Sequence, residues 1–432
     1  MQSLLKKVIT TILQSQVKRL VANHELKVVG ITGSVGKTST KYAVSHVLER
    51  AYKTLSGKGN YNSEIGMPLS LFEEQVLSTV RDVWSWLGIL VRNECKIYGT
   101  YPYQIAVLEM GADHPGDIAS FMSYIKPDIG IVTAVAPSHV EGFGSVENIL
   151  REKWLLAKNS DQAIINFDFD ILQQHARQDS DVKAVSYATT KQADYCVVNQ
   201  LLDSSLGERR FEVQLPDGQI EVFSTRLLAK HSLPALLAAI IVGVQLGVSM
   251  QVIKQAIKEV ESPPGRLRIY RGINDSSLID DTYNANSTSM IAALDFLGEV
   301  SGGRKVAVLG SINELGTMSC SEHELVGRHC SDLDHLVTIG DDAKNFLVPA
   351  AIKAGLSPEK ITSHESPVAA GLQVRDVIKP GDWVLFKGSQ NQVFAEEALK
   401  QVLESQGDIP DLVRQSNYWL GKKHAQFPDI SL

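Results

Sequence analysis

Residues 33–38 of this 432-residue chain, Gly-Ser-Val-Gly-Lys-Thr, are of the types and spacing that could hold a phosphate group. The lysine could reach the terminal phosphates of a nucleoside triphosphate, and the threonine hydroxyl could contact Mg²⁺. The spacing is tighter than in the common phosphate-binding pattern, because Ile31 stands where that pattern has its first glycine. The segment predicts a nucleotide site but does not identify a reaction.

Other polar residues that could take part in chemistry follow apolar runs. Glu109 ends the run IAVLE, where a carboxylate beside a phosphate-binding loop could bind Mg²⁺. His139 follows a second apolar run, and Lys153 comes fourteen residues later. Arg266 lies in a segment rich in proline and glycine, and Asp281 ends a later run before an asparagine-rich loop. Each of them alone would also be ordinary at a protein surface.

The residues around the glycine-rich segment predict the elements that would position it. LKVVGIT, residues 26–32, indicates a buried strand, and residues 38–52 have apolar side chains at helical spacing. A strand, a glycine-rich turn and a helix direct backbone N–H groups toward an anion. We therefore favour a phosphate-binding loop over an ordinary strand–helix turn.

Hydrophobic periodicity predicts an α/β protein with two sheet-containing domains. Residues 26–265 would form a P-loop-type central ATPase domain with a mostly parallel sheet, and residues 266–406 a Rossmann-like C-terminal α/β domain. Residues 407–432 lose the pattern and are predicted to be a tail.

Residues 1–25 predict an amphipathic helix with an apolar stripe and four basic side chains elsewhere. Such a helix more often packs on its own domain or on a partner, and this is the favoured interpretation. Peripheral contact with a membrane surface is the alternative.

Composition excludes several classes of protein. The chain is 44% hydrophobic and 21% charged, which is typical of globular proteins. A net charge of −7 argues against nucleic acid as a partner. Four cysteines without a C-x-x-C pair fit the reducing cytoplasm.

The order of the motifs resembles that of the Mur ligases, which are ATP-dependent amide-bond ligases of peptidoglycan assembly. In chain order the motifs are TGSVGKT, GNYNSEIGMPLSL, LEMGADHPGDI, APSHVEGFGS, PGR, DDTYNANSTSM, LGSINELG and FKGS. The resemblance extends from about residue 28 to about residue 400. GNYNSEIG and DDTYNAN are most similar to the members that add D-alanyl-D-alanine to a muramoyl-tripeptide.

The resemblance implies a role for each matching residue. The implied ATP contacts are Gly33, Ser34, Val35, Gly36, Lys37, Thr38, Ser39, His231, Arg266 and Asp281. The implied ligands of two Mg²⁺ ions are Thr38, Glu109, His139 and a carbamylated Lys153. The implied catalytic residues are Lys37, His139, Lys153 and Arg266, and the implied substrate contacts are Asn60, Asn62, Asn284 and Asn286. Carbamylation would explain the lysine, because an ammonium group would repel Mg²⁺.

The resemblance also implies the reaction and its participants. A carboxylate of the growing peptide attacks the γ-phosphate of ATP, and the amine of the dipeptide then attacks the acyl phosphate. The partners would be small molecules, a muramoyl-peptide precursor and D-alanyl-D-alanine, and the enzyme a cytoplasmic monomer.

The chain departs from the family pattern at several positions. Ser232 and Ala235 replace two asparagines on the adenine side of the site, Leu155 replaces a glutamate, and Gln390 replaces an arginine. Only about 25 residues precede the first predicted strand, whereas family members have a separate domain for the uridine diphosphate end. Two alternatives stay open: a related ligase with another acceptor, as in folylpolyglutamate or cyanophycin synthesis, and a nucleotide-binding relative without activity.

Overall fold

The structure, a computed structural model, describes residues 2–57, 64–75, 77, 82–136, 140–203 and 207–430. The chain forms two compact units. The first comprises Met1–Leu201, Arg210–Thr225 and Ser232–Val260, and the second comprises Leu202–Arg209, Arg226–His231 and Glu261–Leu432. Both contain mostly parallel sheets with helices, so the predicted α/β fold class is confirmed.

The larger sheet provides the framework of the first unit. Its strands are β1 (Lys27–Thr32), β2 (Thr54–Ser56), β3 (Ile105–Glu109), β4 (Ile129–Val132), β5 (Gln162–Asn166), β6 (Ala184–Ala188), β7 (Tyr195–Asp203), β8 (Glu208–Gln214) and β9 (Ile220–Thr225). Among the described residues they are ordered β2-β3-β1-β4-β5-β6-β7-β8-β9. The ladders from β2 through β7 are parallel.

The first unit also contains ten described helices. They are α1 (Gln2–Asn23), α2 (Lys37–Leu48), α3 (Gly66–Leu71), α4 (Val83–Tyr98), α5 (Asp117–Met122), α6 (Val140–Phe143), α7 (Val146–Asn159), α8 (Asp170–Gln178), α9 (Leu233–Gln245) and α10 (Met250–Glu259). A short 3₁₀ turn, Lys230–Ser232, precedes α9.

Strand β1 is buried because strands lie on both sides of it and helices cover its faces. Val28, Val29 and Ile31 are at most 1% exposed, as expected for a central parallel strand. Ile31 is paired with Glu109 of β3 and with Ile131 of β4. The carboxyl ends of these three strands therefore meet at one edge, where ligands bind in such sheets.

Helix α1 packs on its own unit, in agreement with the favoured interpretation. Leu13, Val17 and Leu20 are fully buried. Arg19 forms an ion pair with Glu94 of α4, with an N–O distance of 2.6 Å. Within the described part of the chain, no helix has both the length and the apolar character needed to cross a membrane.

The second unit has a smaller sheet. Its strands are β10 (Arg268–Gly272), β11 (Ser276–Asp281), β12 (Lys305–Gly310), β13 (His335–Ile339), β14 (Ile361–His364) and β15 (Trp383–Lys387). Their order is β10-β11-β15-β12-β13-β14, and only the β10–β11 pair is antiparallel among the ladders described. The helices are α11 (Ser287–Glu299), α12 (Ser319–Gly327), α13 (Val348–Lys353), α14 (Pro367–Val377), α15 (Ala395–Lys400) and α16 (Asn417–Gln426). Short 3₁₀ helices span Gly316–Met318, Pro358–Lys360 and Gln406–Asp411, and a π-helical turn spans Ala343–Leu347.

The last part of the chain is more ordered than its sequence pattern indicates. Residues after 406 include a 3₁₀ turn and α16, and Leu412, Lys423 and Ile430 are buried. The pattern did not predict α16 because its fully buried residue is a lysine, which hydrophobic periodicity counts as exposed.

Candidate active site

The glycine-rich loop joins β1 to α2 and turns at two glycines. Gly36 has a φ of +84°, a conformation that residues with a Cβ rarely adopt. A Cβ on Gly33 would lie 2.0 Å from Thr133 Oγ1, a distance that no side chain tolerates. The loop can therefore lie against the end of β4 only because these positions are glycines.

Hydrogen bonds from the residues after β4 hold this loop. Thr133 Oγ1 donates to the Val35 carbonyl at 2.6 Å, and the Ser34 N–H donates to the Ala134 carbonyl at 2.9 Å. Asn166, at the end of β5, donates to the Thr133 carbonyl at 2.9 Å. Backbone N–H groups at the start of α2 are thereby presented on a fixed frame, which is what an anion site needs.

The structure brings together Lys37, Thr38 and Glu109. Lys37 Nζ donates to the Gly33 carbonyl at 2.7 Å, which folds the lysine back over the loop. Thr38 Oγ1 donates to the Glu109 carboxylate at 3.0 Å. A hydroxyl and a carboxylate are hard oxygen ligands, so this pair fits Mg²⁺. Ser39 follows in the first turn of α2.

Lys153 is a buried lysine on α7. Its side chain is 2% exposed, and burial lowers its pKa to about 8, with a further contribution from the charge of Lys37. Asp113 and Glu152 oppose this shift only partly. Near neutral pH a larger fraction of this side chain is therefore uncharged than at an exposed lysine.

Three of the predicted residues, Asn60, Asn62 and His139, lie outside the described residues. Sequence reasoning also missed Lys41, which is one turn beyond Thr38. Lys41 is buried and its Nζ donates to the Gly57 carbonyl at 3.0 Å. Burial lowers its pKa, and the charge of Glu109 partly offsets this. No motif could have indicated that this lysine is buried.

In the second unit, Asp281 at the end of β11 pairs with Lys387 at the end of β15. Lys387 Nζ lies 2.6 Å from the carboxylate, and both side chains are buried. Lys387 also donates to the Asn284 carbonyl at 3.0 Å. This lysine belongs to the FKGS motif, and sequence reasoning assigned it no role. His231 is exposed on the 3₁₀ turn before α9.

Arg266 lies beside the ring of Tyr283, with 4.3 Å from the guanidinium carbon to the ring centroid. The two predicted substrate asparagines of this unit already have partners within the chain. Asn286 Oδ1 accepts the N–H of Ser289 at 2.8 Å and so caps α11. Asn284 Oδ1 accepts the N–H of Gln390 at 3.3 Å.

Two family models match the chain. The Mur ligase middle domain matches residues 31–80 and 96–243, and the Mur ligase, glutamate ligase domain, matches residues 265–390. Residues 81–95, which include most of α4, lie between the matched segments.

Two relatives carry the same name, UDP-N-acetylmuramoyl-tripeptide–D-alanyl-D-alanine ligase. The protein of Synechocystis sp. is 31% identical over 386 residues, covering 88% of this chain and 75% of that protein. The protein of Bacillus subtilis is 28% identical over 400 residues, covering 91% and 80%. A crystal structure of MurF from Acinetobacter baumannii matches with a TM-score of 0.75 at 26% identity, covering 91% of this chain and 80% of that one.

Proposed function

Because the chain belongs to the Mur ligases, a family of ATP-dependent ligases, we propose that it joins D-alanyl-D-alanine to a muramoyl-tripeptide and converts ATP to ADP and phosphate. The observation that carries this proposal is the 31% identity to a relative of that name over 88% of the chain. The loop geometry supports it, because a fixed phosphate loop lies next to an oxygen pair, Thr38 and Glu109, that fits Mg²⁺.

The proposed reaction has two steps. An oxygen of the peptide carboxylate bonds to the γ-phosphorus, and the bond to ADP breaks. The dipeptide nitrogen then bonds to the acyl carbon, phosphate leaves and the nitrogen loses a proton to solvent. Lys37 and Arg266 would neutralise charge on the transferred phosphoryl group, and Asp281 would contact the ribose.

The proposed function also assigns ligands to two Mg²⁺ ions. Thr38 and Glu109 would hold one Mg²⁺, and His139 and Lys153 would hold a second. These ions would supply charge neutralisation at the phosphates. Asn60, Asn62, Asn284 and Asn286 would contact substrate, with Gly33–Ser39 and His231 on the nucleotide.

We propose that Lys153 carries a carbamate. The ammonium group would first lose one proton, and CO₂ would then form a bond to the neutral Nζ with loss of a second proton. Together these steps would exchange a buried cation for an anion. The support is the burial of this side chain and its position near the charge of Lys37. Lys158 on the same helix is the matched control, because its side chain is 54% exposed.

The carbamate is tested with ¹³C-labelled bicarbonate and NMR. A carbamate signal should appear in the wild type and in Lys158→Ala, and should be absent from Lys153→Ala. Equal signals in all three proteins, or none in the wild type, would reject the carbamate.

The ligase activity is tested by amine-dependent phosphate release. Purified protein, ATP and Mg²⁺ would be combined with muramoyl-tripeptide or folate acceptors, and with D-alanyl-D-alanine, glutamate or arginine as amines. Release should need the muramoyl-tripeptide and D-alanyl-D-alanine together. Release with another pair would assign a different acceptor within the family, and none with any pair would indicate a non-catalytic relative.

The roles of the two domains, the cellular location and the oligomeric state are also proposals. We assign ATP binding to residues 26–265, the second catalytic half to residues 266–406, and a cytoplasmic monomeric state to the protein. Among the described side chains of residues 5–24, Val8 and Ile12 are exposed apolar groups that a contact with a membrane or partner could use, whereas Leu13, Val17 and Leu20 are buried. Light scattering tests the monomer, and co-sedimentation with anionic vesicles tests the membrane contact.

A further inference from the structure

The C-terminal tail, defined here as residues 407–430, contains charged side chains that are buried. The tail lies beyond residue 390, where the family match ends. The side chain of Arg414 is 5% exposed and that of Lys423 is fully buried, as is that of their partner Glu396 on α15. Burying ions is costly unless they are paired and hydrogen-bonded, so these contacts call for a physical reason.

Arg414 uses its guanidinium in two directions. Toward α15 its Nε and Nη2 donate to the Glu396 carboxylate at 2.8 and 2.6 Å. Toward the loop after β11, Nη1 donates to the Tyr283 carbonyl at 2.9 Å and Nη2 to the Thr282 carbonyl at 2.6 Å. The planar group thus connects a buried carboxylate to two successive carbonyls, which an ammonium group could not do with the same geometry.

Lys423 of α16 fixes the carboxylate that orients Arg414. Its Nζ lies 2.8 Å from Glu396 and 2.6 Å from Glu397. Burial alone would raise the pKa of Glu396, but the hydrogen bond and charge of Arg414, with Lys423, hold it below its ordinary value. Glu396 is therefore an anion at neutral pH, so the acceptor for Arg414 is permanent.

The loop that Arg414 holds is the loop that carries the candidate nucleotide contacts. Thr282 and Tyr283 follow Asp281, and the ring of Tyr283 lies against Arg266. The Tyr283 N–H donates to the Gly265 carbonyl at 3.1 Å.

The turn before Arg266 also touches the tail. Gly265 has a φ of +68°. A Cβ there would lie 2.8 Å from both the Tyr283 nitrogen and a Val413 methyl. The turn, the loop and the tail are therefore in direct contact.

We propose that Arg414 is a positioning residue for nucleotide binding. By fixing the carbonyls of Thr282 and Tyr283 it keeps the Tyr283 ring in place, and through that ring it orients Arg266 toward the phosphates. This inference rests on the proposed role of Arg266. It also gives the tail a function, and it places a cation beside the loop in which Asn284 accepts the backbone N–H of Gln390.

The chain offers a matched control at the amino-terminal ends of β12 and β15, the two central strands of the same sheet. Arg304 precedes β12, and its Nε and Nη2 donate to Asp382 at 3.1 and 2.6 Å. Its Nη2 also donates to the Val377 carbonyl at 2.6 Å. Arg304→Lys therefore breaks a similar two-sided contact without touching the loop of Tyr283.

The test measures ADP and ATP-analogue binding by calorimetry on the full chain, with the melting temperature recorded for every variant. Arg414→Lys should weaken binding of the ATP analogue by about tenfold, a loss of ~1.4 kcal/mol. Arg304→Lys should lower the melting temperature by about as much as Arg414→Lys does. It should leave the affinity for the ATP analogue within about twofold of the wild-type value. Lysine is used because it keeps the charge opposite Glu396 and so keeps the chain folded.

A double-mutant cycle separates positioning from stability. In an Arg266→Ala background, Arg414→Lys should have little further effect on binding, because both substitutions remove the same contact. Additive losses, or normal binding by Arg414→Lys, would overturn the inference while leaving the ligase proposal intact. A wild type that binds neither nucleotide would instead overturn the proposed function and this inference with it.

Discussion

Three lysine side chains of the first unit either bond to a backbone carbonyl or are buried. Lys37 bonds to the Gly33 carbonyl, Lys41 bonds to the Gly57 carbonyl, and Lys153 is buried near Lys37. Lys37, which lies in the glycine-rich loop, would contact phosphate oxygens of a bound nucleotide in addition to the carbonyl that holds it.

We predict that Lys37→Ala or Glu109→Ala lowers turnover by about 10²-fold or more, because each removes charge stabilisation at the transferred phosphoryl group. Steady-state phosphate release with saturating substrates measures this. Lys158→Ala, at an exposed position of α7, should retain wild-type turnover. Turnover of Lys37→Ala within about threefold of wild type would remove this lysine from the mechanism.

Some of these lysines and their neighbours could be identified from the sequence and others could not, for physical reasons. Lys37 and Thr38 follow from a local motif whose geometry is set by adjacent residues. Lys153 could be assigned only through the family resemblance, because burial of a lysine depends on distant packing. Lys41 and Lys387 were missed for the same reason.

At the scale of elements, α5 and α7 are joined by a buried carboxylate. Glu152, beside Lys153, accepts the N–H of Gly116 at 2.9 Å and of Ile118 at 2.7 Å. It thereby satisfies N–H groups at the start of α5, a short helix that begins after Gly116.

We predict that Glu152→Ala lowers the free energy of unfolding by about 2 kcal/mol or more, because it leaves two N–H groups near or in the core without their acceptor. Glu152→Gln should lose about half as much, since one oxygen remains. Glu147→Ala, at an exposed position of α7, serves as the control. Urea titrations measure all three, and equal stability of Glu152→Ala and Glu147→Ala would contradict the capping role.

Asp280, at the end of β11, makes a pH-dependent contribution to the stability of the fold. Asp280 is fully buried, and burial raises its pKa to about 6, although it accepts hydrogen bonds from Thr282 and Gly265. A carboxyl group with a raised folded-state pKa stabilises the fold fully below its unfolded pKa. That contribution is lost as the pH rises through about 6.

We predict that, between about pH 5 and about pH 7.5, the wild type loses roughly 1–2 kcal/mol of stability relative to Asp280→Asn. Titrations of groups that do not interact with Asp280 cancel in this comparison. Denaturant unfolding at the two pH values measures it, and parallel pH dependence in both proteins would show that Asp280 keeps an ordinary pKa.

The alternation of strands and helices was predictable because buried parallel strands appear in the sequence as continuous apolar runs. Helix α16 was not, because Lys423 is buried through ion pairs with residues of α15. Contacts such as that of Arg209 with Glu299, at 2.9 Å, join residues 90 positions apart and have no local signature.

At the scale of the whole molecule, α1 is an integral part of the first unit. Its buried side chains Ile9 and Leu13 belong to a cluster with Leu69, Trp86 and Ile89 from α3 and α4. Helix α1 precedes the residues that the family model matches, most of α4 lies between its two matched segments, and these two helices pack on each other.

We predict that Leu13→Asp destabilises the protein by about 3 kcal/mol or more, because it places an unpaired charge at a position that is 0% exposed. Val8→Asp, at 48% exposure on the same helix, should change stability by less than about 0.5 kcal/mol. Thermal unfolding measures both. Equal melting temperatures would show that α1 is detached in solution.

The contact of Arg414 with the loop after β11 also has a consequence for biosynthesis. Arg414 follows Tyr283 by 131 residues, and a ribosome translates it correspondingly later. Because domains fold largely in the order in which they emerge, the first unit can be complete while the carbonyls of Thr282 and Tyr283 still lack their guanidinium partner. A nascent chain would therefore gain full affinity for nucleotide only after Arg414 has been translated, so chains released before that point would compete poorly for the cell's ATP.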